Sequence, residues 1–118
     1  MKRKIWGQTM SIDLGGCEHD LLTNPQKLKE FAKNLCKEIK MIPHGEPIIE
    51  RFGAGYLEGY SLMQFIETST ITVHLDEVDL RAFIDIFTCK KFSVNKARRF
   101  CKSFFKAKRI KYKNFYRV

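Results

Sequence analysis

Apolar and polar positions change their period several times along the chain, and each change marks an element. Residues 4–13 alternate loosely and predict a first strand that ends at Gly15-Gly16. Asn24 is then placed to cap a helix that Pro25 starts. Leu28, Phe31, Ala32, Leu35, Cys36 and Ile39 follow at three- and four-residue steps, one apolar stripe on one face. Pro43 closes that element, and residues 47–52 predict a second strand. Gly53 to Gly59 is glycine-punctuated loop without the Gly-Lys-Ser/Thr ending of a phosphate-binding loop. Residues 60–68 and 70–75 predict two more strands, with Ile71, Val73 and Leu75 alternating against Thr70, Thr72 and His74. Arg81 to Cys89 predicts another. A second helix starts near Ser93 with Val94, Ala97, Cys101, Phe104 and Phe105 inward, and residues 109–116 predict a last strand.

Strand, helix, several strands, helix, strand is the order of an α+β fold. The expected architecture is a two-layer sandwich, an antiparallel sheet with two helices on one face, formed by residues 1–118 as one domain. Hydrophobic residues make up 44% and charged residues 30%, a mixture that excludes a disordered chain. No apolar run approaches the roughly 20 residues of a membrane helix. The basic start, Met1 to Trp6, leads into Gly7-Gln8-Thr9 instead of an apolar signal core. A soluble, cytoplasmic protein with no membrane partner is expected.

The net charge of +9 is unevenly spread. The first 85 residues hold ten Lys and Arg against thirteen Asp and Glu, whereas Lys90 to Arg117 holds twelve Lys and Arg and no acid. Such a tail suits a polyanion, but basic residues alone specify no nucleic-acid fold. The accompanying richness in Lys, Phe, Ile and Tyr is also what an AT-rich gene encodes. Phe104 and Phe105 belong to the apolar face of the second helix, which leaves Tyr112 and Tyr116 as stacking candidates. Nucleic acid is therefore the disfavoured partner.

Cys17, Cys36, Cys89 and Cys101 include no Cys-x-x-Cys spacing, which argues against a zinc site, and no metal is expected. Cys36 and Cys101 fall on helical apolar faces and read as small core residues. Cys89 does not, and it gains meaning only beside Ser61, Ser69 and His74.

Thr68-Ser69-Thr70-Ile71-Thr72-Val73-His74 resembles the Glu-Ser-His-x-Ser-Ile-His signature of the small prokaryotic-type S-adenosylmethionine decarboxylase proenzymes. Asp85-Ile86-Phe87-Thr88-Cys89-Lys90 is similar to the family's Asp-x-Phe-Thr-Cys-Gly, and Gly59-Tyr60-Ser61 to its Gly-Val-Ser. Gly7-Gln8-Thr9 is similar to a family Gly-x-His strand, Gly16-Cys17 to its acid-Cys pair with glycine in place of the acid, and Arg51-Phe52 to its Arg-Phe pair, so the resemblance covers nearly the whole chain. The core of the match, Ser61, Ser69, His74 and Cys89, spans 29 positions in register.

The resemblance implies self-cleavage between Thr68 and Ser69 into 1–68 and 69–118, with Ser69 becoming a pyruvoyl cofactor. It makes Ser69 the processing nucleophile, His74 the elimination base, Ser61 its support and Cys89 the proton donor in decarboxylation. It implies a pyruvoyl group that binds the substrate amine and acts as electron sink. The product would be the aminopropyl donor for spermidine synthesis, made by a homodimer. Phe52 would stack on the substrate's adenine. The family glutamate that holds the ribose aligns with Val78, leaving Glu77 or Asp76 to stand in, and Thr68 replaces the glutamate before the serine. These departures keep open a pyruvoyl-dependent decarboxylase for ornithine or arginine, and a non-enzymatic or nucleic-acid-binding homologue.

Overall fold

The computed structural model describes residues 4–118, so the charged start read at Met1, Lys2 and Arg3 lies outside the described residues. The first strand, β1, runs Gly7–Gly15 and begins later than residue 4. Along it Gln8, Met10, Ile12 and Leu14 are buried, the two-residue period of a half-covered strand. A four-residue helix, α1 (His19–Leu22), follows. It is too short to leave a periodic signal, and the sequence pattern does not predict it. The long helix α2 (Pro25–Glu38) starts as expected, the Asn24 side chain accepting from the backbone N–H of Gln26 and of Lys27.

Four strands come next: β2 (Ile48–Phe52), β3 (Gly59–Ile66), β4 (Ser69–Asp76) and β5 (Arg81–Thr88). A single 3₁₀ turn, Gly55–Leu57, lies in the glycine-rich loop. Helix α3 (Val94–Phe104) is capped by Ser93, whose hydroxyl accepts from the Lys96 N–H, and β6 (Arg109–Arg117) ends the fold. β3 stops at Ile66 and not at residue 68, because Glu67 and Thr68 form the turn into β4.

All strand pairings are antiparallel, in the order β2-β3-β4-β5-β1-β6. Ile71, Val73, Leu75, Ala82, Ile84 and Ile86 turn to one side of this sheet, where α2 brings Leu28, Phe31, Leu35 and Cys36. Phe31 is fully buried, with ring centroids 5.7, 5.2 and 4.8 Å from Phe100, Phe104 and Phe105. Each such side chain contributes about 1.5–3 kcal/mol by leaving water. Phe105 is thus a core residue and Phe104 packs half-buried against it, on the face that their spacing predicts.

The opposite side of the sheet carries no helix. It presents Ser61, Met63 and Phe65 from β3, His74 from β4, and Phe115 from β6, with Met63, Phe65 and Phe115 exposed. Trp6, also exposed, stacks on Phe87 of β5 at 5.6 Å. The two-layer α+β sandwich expected from the sequence is what forms. Among the described residues no helix is long and apolar enough to cross a membrane.

Candidate active site

The hairpin between β3 and β4 carries two groups of candidate side chains, one at its turn and one at the far end of its paired strands. At the turn, Ile66 pairs with Ser69, so Glu67 and Thr68 alone reverse the chain. Thr68 has φ 55°, in the left-handed region, and its hydroxyl donates to the Glu67 carbonyl at 2.7 Å. Ser69 is 4% exposed, and its Oγ accepts from the Cys89 backbone N–H at 2.9 Å. That contact exists because β5 runs beside β4 and delivers Cys89 just past its last residue, Thr88.

Cys89 Sγ lies 3.8 Å from the Glu67 carbonyl oxygen. The Thr68 and Ser69 hydroxyls beside it hold its thiol below the usual thiol range. The other cysteines move the opposite way. Burial pushes Cys17 and Cys36 up to about 11, and burial raises Cys101 further. Of the four, Cys89 alone is shifted in the direction that lets a thiol give up its proton more readily. A cleft of about 330 Å³, lined by Lys40, His44, Thr68 and Cys89 among others, opens beside it.

The second group lies on the helix-free face. Ser61 and His74 are cross-strand partners, with Ser61 Oγ 2.9 Å from His74 Nδ1. Phe52, 56% exposed, pairs with Gly59 two residues away on the same face. Gly59 has to be glycine there, since a Cβ would meet the Leu75 carbonyl oxygen at 2.5 Å. That added carbon would also lie 3.9 Å from Glu77 Oε1, so Phe52 and Glu77 belong to one end of the sheet.

Glu77 is already engaged. Arg51 donates to both its oxygens, Nη1 to Oε1 at 2.8 Å and Nη2 to Oε2 at 3.1 Å, while Arg51 Nε donates to Glu58 at 2.7 Å. The Arg51 hydrogen bond holds the Glu77 carboxyl below the usual carboxylate range. Asp76, the other acid read from the sequence, bonds Arg81 Nε at 2.8 Å, and Val78 stands exposed at the turn. Sequence reading takes Phe52 from the Arg51-Phe52 pair but misses Arg51 itself, whose partners lie seven and 26 residues away.

Within one chain the two groups do not meet. His74 is five residues along β4 from Ser69, about 17 Å, and their side chains leave opposite faces of the strand. The structure therefore joins Ser69 with Cys89, and Ser61 with His74, and keeps the pairs apart.

Comparison with known proteins places these residues in a family. The family described as S-adenosylmethionine decarboxylase matches residues 8–118. An S-adenosylmethionine decarboxylase proenzyme of Clostridium botulinum (strain Hall, type A) is 33% identical over 88 residues, which are 75% of this chain and 72% of the relative. The corresponding proenzyme of strain Loch Maree, type A3, is 34% identical over the same share of each chain. A crystal structure of the adenosylmethionine decarboxylase from Aquifex aeolicus superposes with a TM-score of 0.79 at 19% identity, covering 98% of this chain and 92% of that one. At that identity the superposition speaks for the fold.

Proposed function

Because the chain belongs to the S-adenosylmethionine decarboxylase family, we propose that it is a proenzyme that cuts itself between Thr68 and Ser69 and then decarboxylates S-adenosylmethionine as a homodimer. The observation that carries this reading is the Ser69 hydroxyl on the Cys89 N–H, beside the Thr68 carbonyl and the Cys89 thiol. A serine nucleophile needs a held oxygen and an adjacent carbonyl, and Ser69 has both.

Ser69 Oγ adds to the Thr68 carbonyl carbon, and its proton passes to the Ser69 nitrogen as the C–N bond breaks. Elimination across the resulting ester needs a base at the Ser69 α-carbon. His74 suits that task, since an Nδ1–H donated to Ser61 Oγ leaves Nε2 free to take a proton. Elimination leaves a dehydroalanine whose hydrolysis takes up water and releases ammonia, and the resulting pyruvoyl group would supply the electron sink for decarboxylation. Ser69 and Cys89 sit together where that group would stand, so the Cys89 thiol can protonate the carbon that has lost carbon dioxide.

His74 lies too far from Ser69 on its own strand, which supports a site completed by the partner subunit's His74. The helix-free face, with Trp6, Met63, Phe65 and Phe115 exposed, is the surface on which two such chains would join. Phe52 and Glu77 then form the substrate end, the ring for the adenine and the acid, oriented by Arg51, for the ribose. Cytoplasmic residence belongs to the same reading.

The engagement of Glu77 by Arg51 favours one second reading, the same chemistry on ornithine or arginine. Intact mass should reveal fragments 1–68 and 69–118, the second with a blocked N-terminus, and Ser69→Ala should leave one chain. A folded wild-type protein that stays whole would remove the pyruvoyl reading. Carbon dioxide release from ornithine or arginine, with none from S-adenosylmethionine, would promote the second substrate class.

A further inference from the structure

Thr68, whose carbonyl the proposed cleavage attacks, is also held in a backbone conformation unsuited to its side chain. Its φ of 55° is in the left-handed region, which a β-branched residue enters only under constraint, because its Cβ crowds the following carbonyl. Lys40, Leu80 and Lys106 are the other non-glycine residues of positive φ among those described, and none is β-branched. Thr68 is the outlier.

The hairpin explains how it is forced. The Ile66–Ser69 pairing leaves two residues for the turn. Favoured two-residue hairpin turns have positive φ at both central residues or at the first, usually with Gly, Asn or Asp there. Here Glu67 has no positive φ and Thr68, the second residue, does. A turn that bends this way asks for glycine at its second place. The surroundings hold it nonetheless: the His44 N–H donates to the Phe65 carbonyl at 2.8 Å, Pro43 bridges Ile66, and the Cys89 N–H pins Ser69 Oγ.

We propose that strain held in Thr68 drives the self-cleavage. The inference rests on the reading that Thr68-Ser69 is the processed bond. When Ser69 Oγ forms its bond to the Thr68 carbonyl carbon and the C–N bond breaks, the proton of Oγ ends on the freed amine. The connection between the two residues then runs through Oγ and Cβ and is one atom longer, so Thr68 is released from the left-handed region. An amide turning into an ester is otherwise uphill, and relief of strain offsets that cost. Elimination then breaks the Ser69 Cβ–Oγ bond with loss of the α-proton and frees the Thr68 carboxylate, making relief permanent. In this chain Thr68 acts where the family signature carries glutamate.

The test follows cleavage in time in freshly translated chains, by intact mass, for wild type, Thr68→Gly, Thr68→Asn and Thr68→Val. Gly and Asn accept the left-handed region and should slow cleavage by about ten- to a hundredfold. Val keeps the branched Cβ without the hydroxyl and should cleave near the wild-type rate. In a Ser69→Ala background, Thr68→Gly should raise the Tm of the uncut chain, the sign opposite to that of a merely structural role. Wild-type cleavage in Thr68→Gly, or a Val variant as slow as Gly, would overturn the inference. A wild-type chain that never cleaves would instead defeat the processing reading on which it rests.

Discussion

Ser69 and His74 occupy one strand, yet Ser69 turns toward the helices and His74 toward the helix-free face. Strand alternation alone imposes this, since an odd separation reverses the side. Within one chain they cannot meet, so the proposed mechanism calls for the His74 of a second chain.

Co-expression of His74→Ala with Cys89→Ala checks that requirement. Each variant alone should be inactive. Random pairing makes half the dimers mixed, each with one intact site of two, so about a quarter of wild-type turnover should return. Mixtures as silent as the separate variants would assign all four residues to one chain.

Phe65 is 45% exposed on the helix-free face. Phe65→Glu places a charge where two apolar faces would meet, and burial of an unpaired charge is costly. The variant should sediment as a folded monomer and lose turnover. A fully active dimer would show that the chains join elsewhere.

Cys89→Ala should still permit cleavage while lowering kcat by about 10² to 10⁴, the usual worth of a general acid. In the wild type the protonated thiol is the donor. The Thr68 and Ser69 hydroxyls lower its pKa in the uncut chain. Processing consumes the Ser69 hydroxyl, so the alkaline limb of kcat reports the thiol without that support and should vanish in Cys89→Ala. An alkaline limb unchanged in Cys89→Ala would assign that limb to another group.

Arg51 and Glu77 set a limb at the acid end. The Glu77 carboxyl is depressed in the folded chain, so the pair contributes stability above its unfolded pKa and loses it as pH falls through the folded value. Arg51→Ala should lie below wild type in Tm at pH 7 and converge with it as the solution is acidified. It should also raise KM more than it lowers kcat, because Glu77 then lacks its orienting partner. Parallel Tm curves at every pH would show that the pair contributes nothing.

Phe31→Ala removes the ring against which Phe100, Phe104 and Phe105 pack. Truncating a buried Phe costs about 3–5 kcal/mol, which denaturant unfolding of the Ser69→Ala chain would read directly. A loss below about 1 kcal/mol would mean that the helix layer repacks.

What the sequence by itself determined is local. Asn24, Pro25 and the stripe from Leu28 to Ile39 specify α2, because a cap and a 3.6-residue period are properties of neighbouring residues. The alternation of Ile71, Val73 and Leu75 with Thr70, Thr72 and His74 specifies β4 and the side on which His74 emerges. The spacing of Ser61, Ser69, His74 and Cys89 carries the family resemblance. α1 stayed hidden because four residues are about one turn, too short for any period. Only the tertiary structure decided the rest, because strand pairing joins residues that are distant in sequence. The β4–β5 register brings Cys89 to Ser69 across twenty residues, and Arg51 reaches Glu77 across 26. The β3–β4 register sets Ser61 on His74 and, by leaving two residues between Ile66 and Ser69, bends Thr68 into a conformation that its side chain opposes.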